Sequence, residues 1–209
     1  MSTSRIAGKT RVKLCGMFRP EDIRAVNDVR PDYVGFVINV ARSHRSVSPK
    51  ELATLSPLVD AGIRRVGVFV NEPPESIARL YEERLIDICQ LHGSEDEGYL
   101  SHLREVCPVP IIQAFCVRSS EDVSRAQAST ANLVLLDGGQ GGGKTFDWSL
   151  LEDIERPFML AGGLGPVNVA RTIVAVRPWG VDMSSGIETD RIKDVTKMRA
   201  AIAAVRGAR

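Results

Sequence analysis

The sequence predicts an α/β fold with one closed parallel sheet, a single-domain (β/α)8 TIM barrel. Three observations carry that expectation. Apolar runs alternate with capped, amphipathic segments eight times along 209 residues, at about 25 residues per strand–helix unit. Eight is the number at which such a sheet closes into a barrel. An open doubly wound sheet would carry its glycine fingerprint after the first strand, where this chain has only Cys15-Gly16.

Residues 1–10 (MSTSRIAGKT) read as a short, poorly ordered leader, and residues 11–209 as the barrel. Arg11 to Cys15 is the first strand, and Gly16 turns the chain. Pro20-Glu21-Asp22 opens a helix with proline and acids in its first turn, as the helix dipole favours. It reaches about Val29, and Pro31 blocks it. Tyr33 to Ile38 is the second strand, followed by a polar loop from Asn39 to Ser48. Ser48-Pro49 caps a helix expected to run to Ala61, with Gly62 as its stop.

Strands then fall at Arg65–Val70, Leu85–Leu91 and Pro110–Phe115, with helices at Pro74–Arg84, Glu95–Val106 and Ser119–Ser129. Asn132 to Asp137 is the sixth strand, a run of apolar residues ending in an acid, as in a buried parallel strand with a polar tip. A short helix from Trp148 to Ile154 follows its glycine-rich loop. Phe158–Ala161 and Trp179–Met183 are the last strands, with helices Pro166–Val176 and Asp194–Val205.

Charge is balanced, with 27 basic against 26 acidic residues. No global field draws the chain to nucleic acid or a membrane surface. Cys15, Cys89, Cys107 and Cys116 include no C-x-x-C pair, which suits reduced thiols in the cytoplasm. The leader lacks the apolar core of a signal peptide, and no apolar run is long enough to span a membrane. A soluble, cytoplasmic protein is expected.

In a barrel of this kind the active site lies at the C-terminal ends of the strands. Gly162 and Gly163 after the seventh strand, and Ser184, Ser185 and Gly186 after the eighth, lie where many barrels bind phosphate through backbone N–H groups. Cys15 and Asp137 end the first and sixth strands and form a candidate acid–base pair. The thiol is a base only with its pKa lowered or its proton removed by a neighbour. The carboxyl is an acid near neutral pH only if burial raises its pKa. His44, His92 and His102 form no ligand cluster with the carboxylates, so no metal is expected.

Gly138 to Thr145 fits the G-x-x-x-x-G-K-[ST] pattern of a nucleotide-binding loop. Such a loop opens a long helix and needs a second acidic strand end for Mg²⁺. Here Phe146-Asp147-Trp148 and Pro157 interrupt, and the apolar strand ending in Asp near the loop is the one carrying it. The pattern reads as coincidence.

Lys13-Leu14-Cys15-Gly16, Ser43-His44-Arg45, Val68-Phe69-Val70-Asn71, Gln90-Leu91-His92-Gly93, Asp137 with Gly142 to Trp148, Ala161 to Leu164, and Val181 to Glu188 with Lys193-Asp194 occur in that order. The set resembles the successive motifs of phosphoribosylanthranilate isomerases. The resemblance implies a cofactor-free Amadori rearrangement in tryptophan biosynthesis, acting on a small phosphorylated substrate. It implies Cys15 as general base, Asp137 as general acid and Arg45 as the partner of the anthranilate carboxylate. Gly162, Gly163, Ser184, Ser185 and Gly186 would hold the phosphate, and Gln90, His92 and Asp182 would line the pocket. Gly141, Gly142, Gly143 and Lys144 would form a lid that excludes water. The chain departs from the family pattern at Gly165, where asparagine is usual, at Arg191, where glycine is usual, and at Asn39-Val40, where an aromatic is usual. These concern loop shape, not Cys15, Asp137 or Arg45. A related aminoribosyl-phosphate isomerase of histidine biosynthesis would carry aspartate at Cys15, and a non-catalytic sugar-phosphate-binding barrel would bind without turnover. Monomer and homodimer both remain open.

Overall fold

The strands are β1 Arg11–Cys15, β2 Tyr33–Ile38, β3 Arg64–Phe69, β4 Ile88–Leu91, β5 Ile111–Cys116, β6 Leu133–Asp137, β7 Phe158–Ala161 and β8 Gly180–Met183. Each pairs in parallel with the next, and β8 returns to pair with β1, so the ring closes. This is the expected barrel. The structure, a computed structural model, describes residues 9–138, 148–152 and 154–208. Most of the proposed leader and the lid residues Gly141, Gly142, Gly143 and Lys144 lie outside the described residues.

The period of two along each strand separates two apolar layers. Cys15, Val66, Val68, Ile88, Ile112, Leu135 and Met159 fill the barrel interior. Val12, Leu14, Val34, Phe36 and Leu136 belong to the outer layer, packed beneath the helices. Those helices are α1 Pro20–Val29, α2 Pro49–Leu55, α3 Pro74–Glu82, α4 Glu97–Val106, α5 Ser120–Ala128, α6 Val169–Val176 and α7 Val195–Gly207. Between β6 and β7 the described residues hold a single 3-10 turn, Trp148–Leu151.

Several boundaries differ from expectation for local reasons. α2 opens with a capping box, Glu51 N donating to Ser48 Oγ and Ser48 N to the Glu51 carboxylate. It stops at Leu55 rather than Ala61, because Pro57 removes a donor and the chain tightens into the 3-10 turn Ser56–Leu58. α4 starts at Glu97, capped by Asp96. Glu95 is not helical: its carboxylate accepts the N–H groups of Asn71 and Gly93, each at 2.7 Å, and so joins two strand-tip loops. α6 begins at Val169 instead of Pro166. The polar loop after β2 contains an unexpected two-residue strand, Ser46–Val47, parallel to β2, which fixes the position of Arg45 just before it.

Candidate active site

Lys13 and Cys15 stand two residues apart on β1 and share its inward face. Lys13 is fully buried, and its Nζ donates to Asp182 Oδ2 at 2.7 Å. The pair is built into the sheet, since Lys13 and Asp182 are register partners between β1 and β8. Asp182 Oδ1 is buried with no hydrogen-bond partner among the described residues. The Cys15 thiol occupies space that Gly35 on β2 leaves open, for a Cβ there would lie 2.6 Å from the sulfur. Burial pushes the Cys15 thiol up, against the opposing Lys13 and Lys193 ammonium groups. Of the two routes expected for a thiol base, a lowered pKa or removal of its proton by a neighbour, the packing of the free protein does not supply the first. Desolvation outweighs the cations.

Arg45 sits beside this strand tip. Its side chain crosses over Gly16, whose φ of +80° and missing Cβ make the crossing possible. Its Nε and Nη2 donate to Glu188 Oε1 and Oε2 at 2.6 and 2.7 Å, a two-pronged guanidinium–carboxylate pair. Lys193 Nζ donates to the same Glu188 Oε1 at 2.6 Å and to the Ser184 carbonyl at 3.1 Å. Burial would raise the Glu188 carboxyl, but hydrogen bonds from Arg45 and Lys193 hold it down at about 2. Two cations thus share one carboxylate.

Asp137 ends β6, with its Oδ2 3.7 Å from His92 Nε2. The Gln90 side-chain amide lies 3.0 Å from His92 Nδ1 and so holds the ring with its Nε2 edge toward Asp137. Burial lowers the His92 pKa below the ordinary histidine range, partly opposed by Asp137. The other Asp137 oxygen lies against Gly162, where a Cβ would come within 3.0 Å of Oδ1 and 2.8 Å of the Gly138 nitrogen. Gly138 N donates to the Ala161 carbonyl at 3.2 Å, so the first glycine of the nucleotide-loop pattern extends the β6–β7 ladder.

Gly162 and Gly163 adopt φ of +103° and +63°. Asn168 holds their loop by donating to the Gly163 carbonyl and accepting from Gly165 N. The loops after β7 and β8 touch: a Cβ on Gly165 would meet the Gly186 carbonyl at 3.0 Å, and one on Gly186 would collide with the Leu164 carbonyl. The departure to glycine at position 165 falls at this close contact. Ser185 and Gly186 begin the one-turn 3-10 segment Ser185–Ile187. The Ser184 hydroxyl donates to the Cys15 carbonyl at 3.1 Å, tying β8 to β1, so its proton is committed there. Arg191 has a φ of +65°, a left-handed conformation that explains why glycine suits that position.

The structure therefore brings Cys15, Arg45, Asp182 and Ser184 to one side of the mouth. Asp137, His92, Gln90 and Gly162 gather on the other. Lys13, Glu188 and Lys193 have no role in the sequence reading, although all three stand inside its motifs. A signal was present for Lys13: a lysine two residues before an inward-facing cysteine must itself face inward. Glu188 pairs with a residue 143 positions earlier, and no local pattern links the two.

Fold and mouth together define a (β/α)8-barrel protein with acid–base groups at the strand tips and two glycine-containing loops beside them. Comparison with known proteins narrows that class. Residues 12–204 match the family described as "PRAI: N-(5'phosphoribosyl)anthranilate (PRA) isomerase". An N-(5'-phosphoribosyl)anthranilate isomerase of Endomicrobium trichonymphae is 39% identical over 193 residues, covering 90% of this chain and 94% of the relative. The crystal structure of phosphoribosyl anthranilate isomerase from Thermotoga maritima superposes with a TM-score of 0.86 at 36% identity, covering 95% of this chain and 99% of that one. A phosphoribosyl anthranilate isomerase in complex with reduced 1-(o-carboxyphenylamino)-1-deoxyribulose 5-phosphate gives a TM-score of 0.83 at 35% identity, with the same coverage. The chain belongs to the N-(5'-phosphoribosyl)anthranilate isomerase family.

Proposed function

We propose that this chain isomerises N-(5'-phosphoribosyl)anthranilate to 1-(2-carboxyphenylamino)-1-deoxyribulose 5-phosphate, a step of tryptophan biosynthesis, with Asp137 as general acid and Cys15 as general base. The observation that carries the assignment is that both residues end strands at one barrel mouth, beside the β7 and β8 loops, in a chain of this family.

Asp137 donates a proton to the ribose ring oxygen as the C1–O bond breaks, and the anilino nitrogen lone pair forms the C1=N bond of the Schiff base. A C–H bond of the closed sugar is far too weak an acid for a thiolate. Beside the cationic C1=N group, the C2–H electrons can flow to nitrogen, which makes the transfer to Cys15 feasible. The resulting enol loses its hydroxyl proton and takes a proton at C1, giving the C2 ketone.

Arg45 meets the anthranilate carboxylate, with Glu188 holding the guanidinium plane in place. Asp182 Oδ1, buried and without a hydrogen-bond partner among the described residues, suits a sugar hydroxyl. Backbone groups around Gly162, Gly163, Ser185 and Gly186 receive the phosphate. Gln90 orients His92 against Asp137. Self-association is to be measured by light scattering, since a structure of the T. maritima relative is described as monomers of a dimeric enzyme.

The direct assay mixes the protein with freshly made substrate and follows the loss of anthranilate-type fluorescence. Rapid loss with the wild type and none with Cys15→Ala is expected. A wild-type rate no better than that of Cys15→Ala would remove the assignment.

A further inference from the structure

We infer that Lys13 is a positioning residue for the base: its ammonium, locked in the barrel interior by Asp182, lies beside Cys15 to stabilise the thiolate that accepts the C2 proton. The inference rests on Cys15 being the general base. Lys13 is fully buried, an expensive place for an ammonium. It donates to a carboxylate that is itself buried and whose second oxygen has no hydrogen-bond partner among the described residues. Yet a lysine and an aspartate kept solely for stability are replaceable by apolar side chains of similar volume. Lys13 and Cys15, two residues apart on β1, send their side chains to the same interior face, so the ammonium held by Asp182 and the thiol share one buried space. One ammonium thus stands on the same face as a carboxylate and a thiol.

The charged groups that bear on the thiol among the described residues come from several elements. Lys13 on β1 and Lys193, on the two-residue strand Ile192–Lys193, favour thiolate, and Asp182 on β8 opposes it. Arg45 approaches from the β2 loop. Lys193 and Arg45 are both engaged by Glu188. Across the mouth, His92 on β4 and Asp137 on β6 face Lys13 and Asp182. On β2, Gly35 lies against the sulfur and is uncharged. Lys13 is therefore the cation on the thiol's own strand face, whereas Lys193 and Arg45 are drawn to Glu188.

The test measures the alkylation rate of Cys15 by iodoacetamide, read by mass spectrometry of its own peptide, from neutral to alkaline pH, together with the pH profile of kcat/KM. Asp182→Asn should shift the thiol titration downward, because the opposing anion is gone while the ammonium remains. Lys13→Gln should shift it upward by at least about one unit, a tenfold smaller thiolate fraction at fixed pH. Lys13→Gln alone strands a buried carboxylate and can fail to fold. The double variant Lys13→Gln/Asp182→Asn leaves a neutral pair, and its difference from Asp182→Asn isolates the lysine. Matching shifts in the alkylation and kcat/KM profiles support the role. An identical Cys15 titration in Asp182→Asn and the double variant overturns it, whatever happens to KM. Turnover by Cys15→Ala would instead overturn the assignment of the base.

Discussion

The two ends of the barrel use charge differently. At the N-terminal rim the ions are paired one to one and partly exposed: Arg11 with Asp32 at 2.8 Å and Arg65 with Asp87 at 2.7 Å. Each acid precedes an even-numbered strand and also accepts a backbone N–H from the odd-numbered strand before it, Val12 for Asp32 and Arg65 for Asp87. Asn132, just before β6, does the same for Ile111 without charge. These side chains close strand starts and set register. At the C-terminal mouth the balance is uneven, with two cations on Glu188, a fully buried lysine and a carboxylate oxygen left without a partner among the described residues. Such an arrangement costs stability and perturbs proton affinities, as catalysis requires. One end holds the barrel, and the other reacts.

The largest effects should therefore fall on turnover and come from the mouth. Cys15→Ala and Asp137→Asn should each lower kcat by about 10²–10⁴-fold, the usual worth of a positioned acid or base. Thermal midpoints should stay within a few degrees of wild type. Turnover within tenfold of wild type in either variant would break the division between the two ends. Gly162→Ala comes next. Its φ of +103° strains any side chain, and the new methyl would press on Gly138 N and Asp137 Oδ1. A stability loss of about 1–3 kcal/mol should accompany a fall in kcat at unchanged expression, and urea melts with steady-state kinetics would measure both.

The barrel was legible because its signals are local. Apolar runs, the Ser48 cap and Pro74 at the start of α3 lie within a few residues of what they determine. The strand tips followed from the fold, so Cys15, Asp137 and the glycines of the β7 and β8 loops could be placed beforehand. What escaped depends on distant partners. Glu95 reads as the start of a helix, but its carboxylate is drawn to the amides of Asn71 and Gly93. The Ser184 hydroxyl donates to the Cys15 carbonyl, 169 positions away, a link that no local pattern announces. Thiol chemistry asked for a lowered pKa or a neighbour that removes the proton, and only the packed interior shows that burial raises the Cys15 value.

An intermediate effect is expected at Glu188, where structure and substrate binding meet. Its carboxyl is held at about 2 by Arg45 and Lys193, below the ordinary glutamate value of about 4.3. A depressed folded-state value stabilises the fold above the unfolded pKa, and that contribution fades as pH falls toward the folded one. Acid titration followed by circular dichroism should show wild type losing stability between about pH 4 and pH 2 more steeply than Glu188→Gln. At neutral pH, Glu188→Gln should raise KM more than it lowers kcat, since Arg45 loses its alignment. Arg45→Ala should do the same. A pure kcat defect in both would move Arg45 from binding the carboxylate to the chemistry itself.

The smallest effect belongs to the opposite rim and tests the comparison from the other side. Asp87→Asn removes the charge facing Arg65 but keeps an oxygen that can accept the Arg65 backbone N–H, as Asn132 already does for Ile111. The pair is partly solvent-exposed, with side-chain exposures of 22% and 31%, so screening limits the loss to about 1 kcal/mol or less. The Asp87 carboxyl lies below the ordinary range because hydrogen bonds from Arg65 outweigh burial. The small loss should therefore be present at neutral pH and shrink as acid protonates the wild-type group. Both kcat and KM should stay within about twofold, because β3 and β4 keep their register through the backbone ladder. A several-fold fall in kcat with the fold intact would mean that strand starts and strand tips are mechanically coupled, and that charge at the N-terminal rim also serves the reaction.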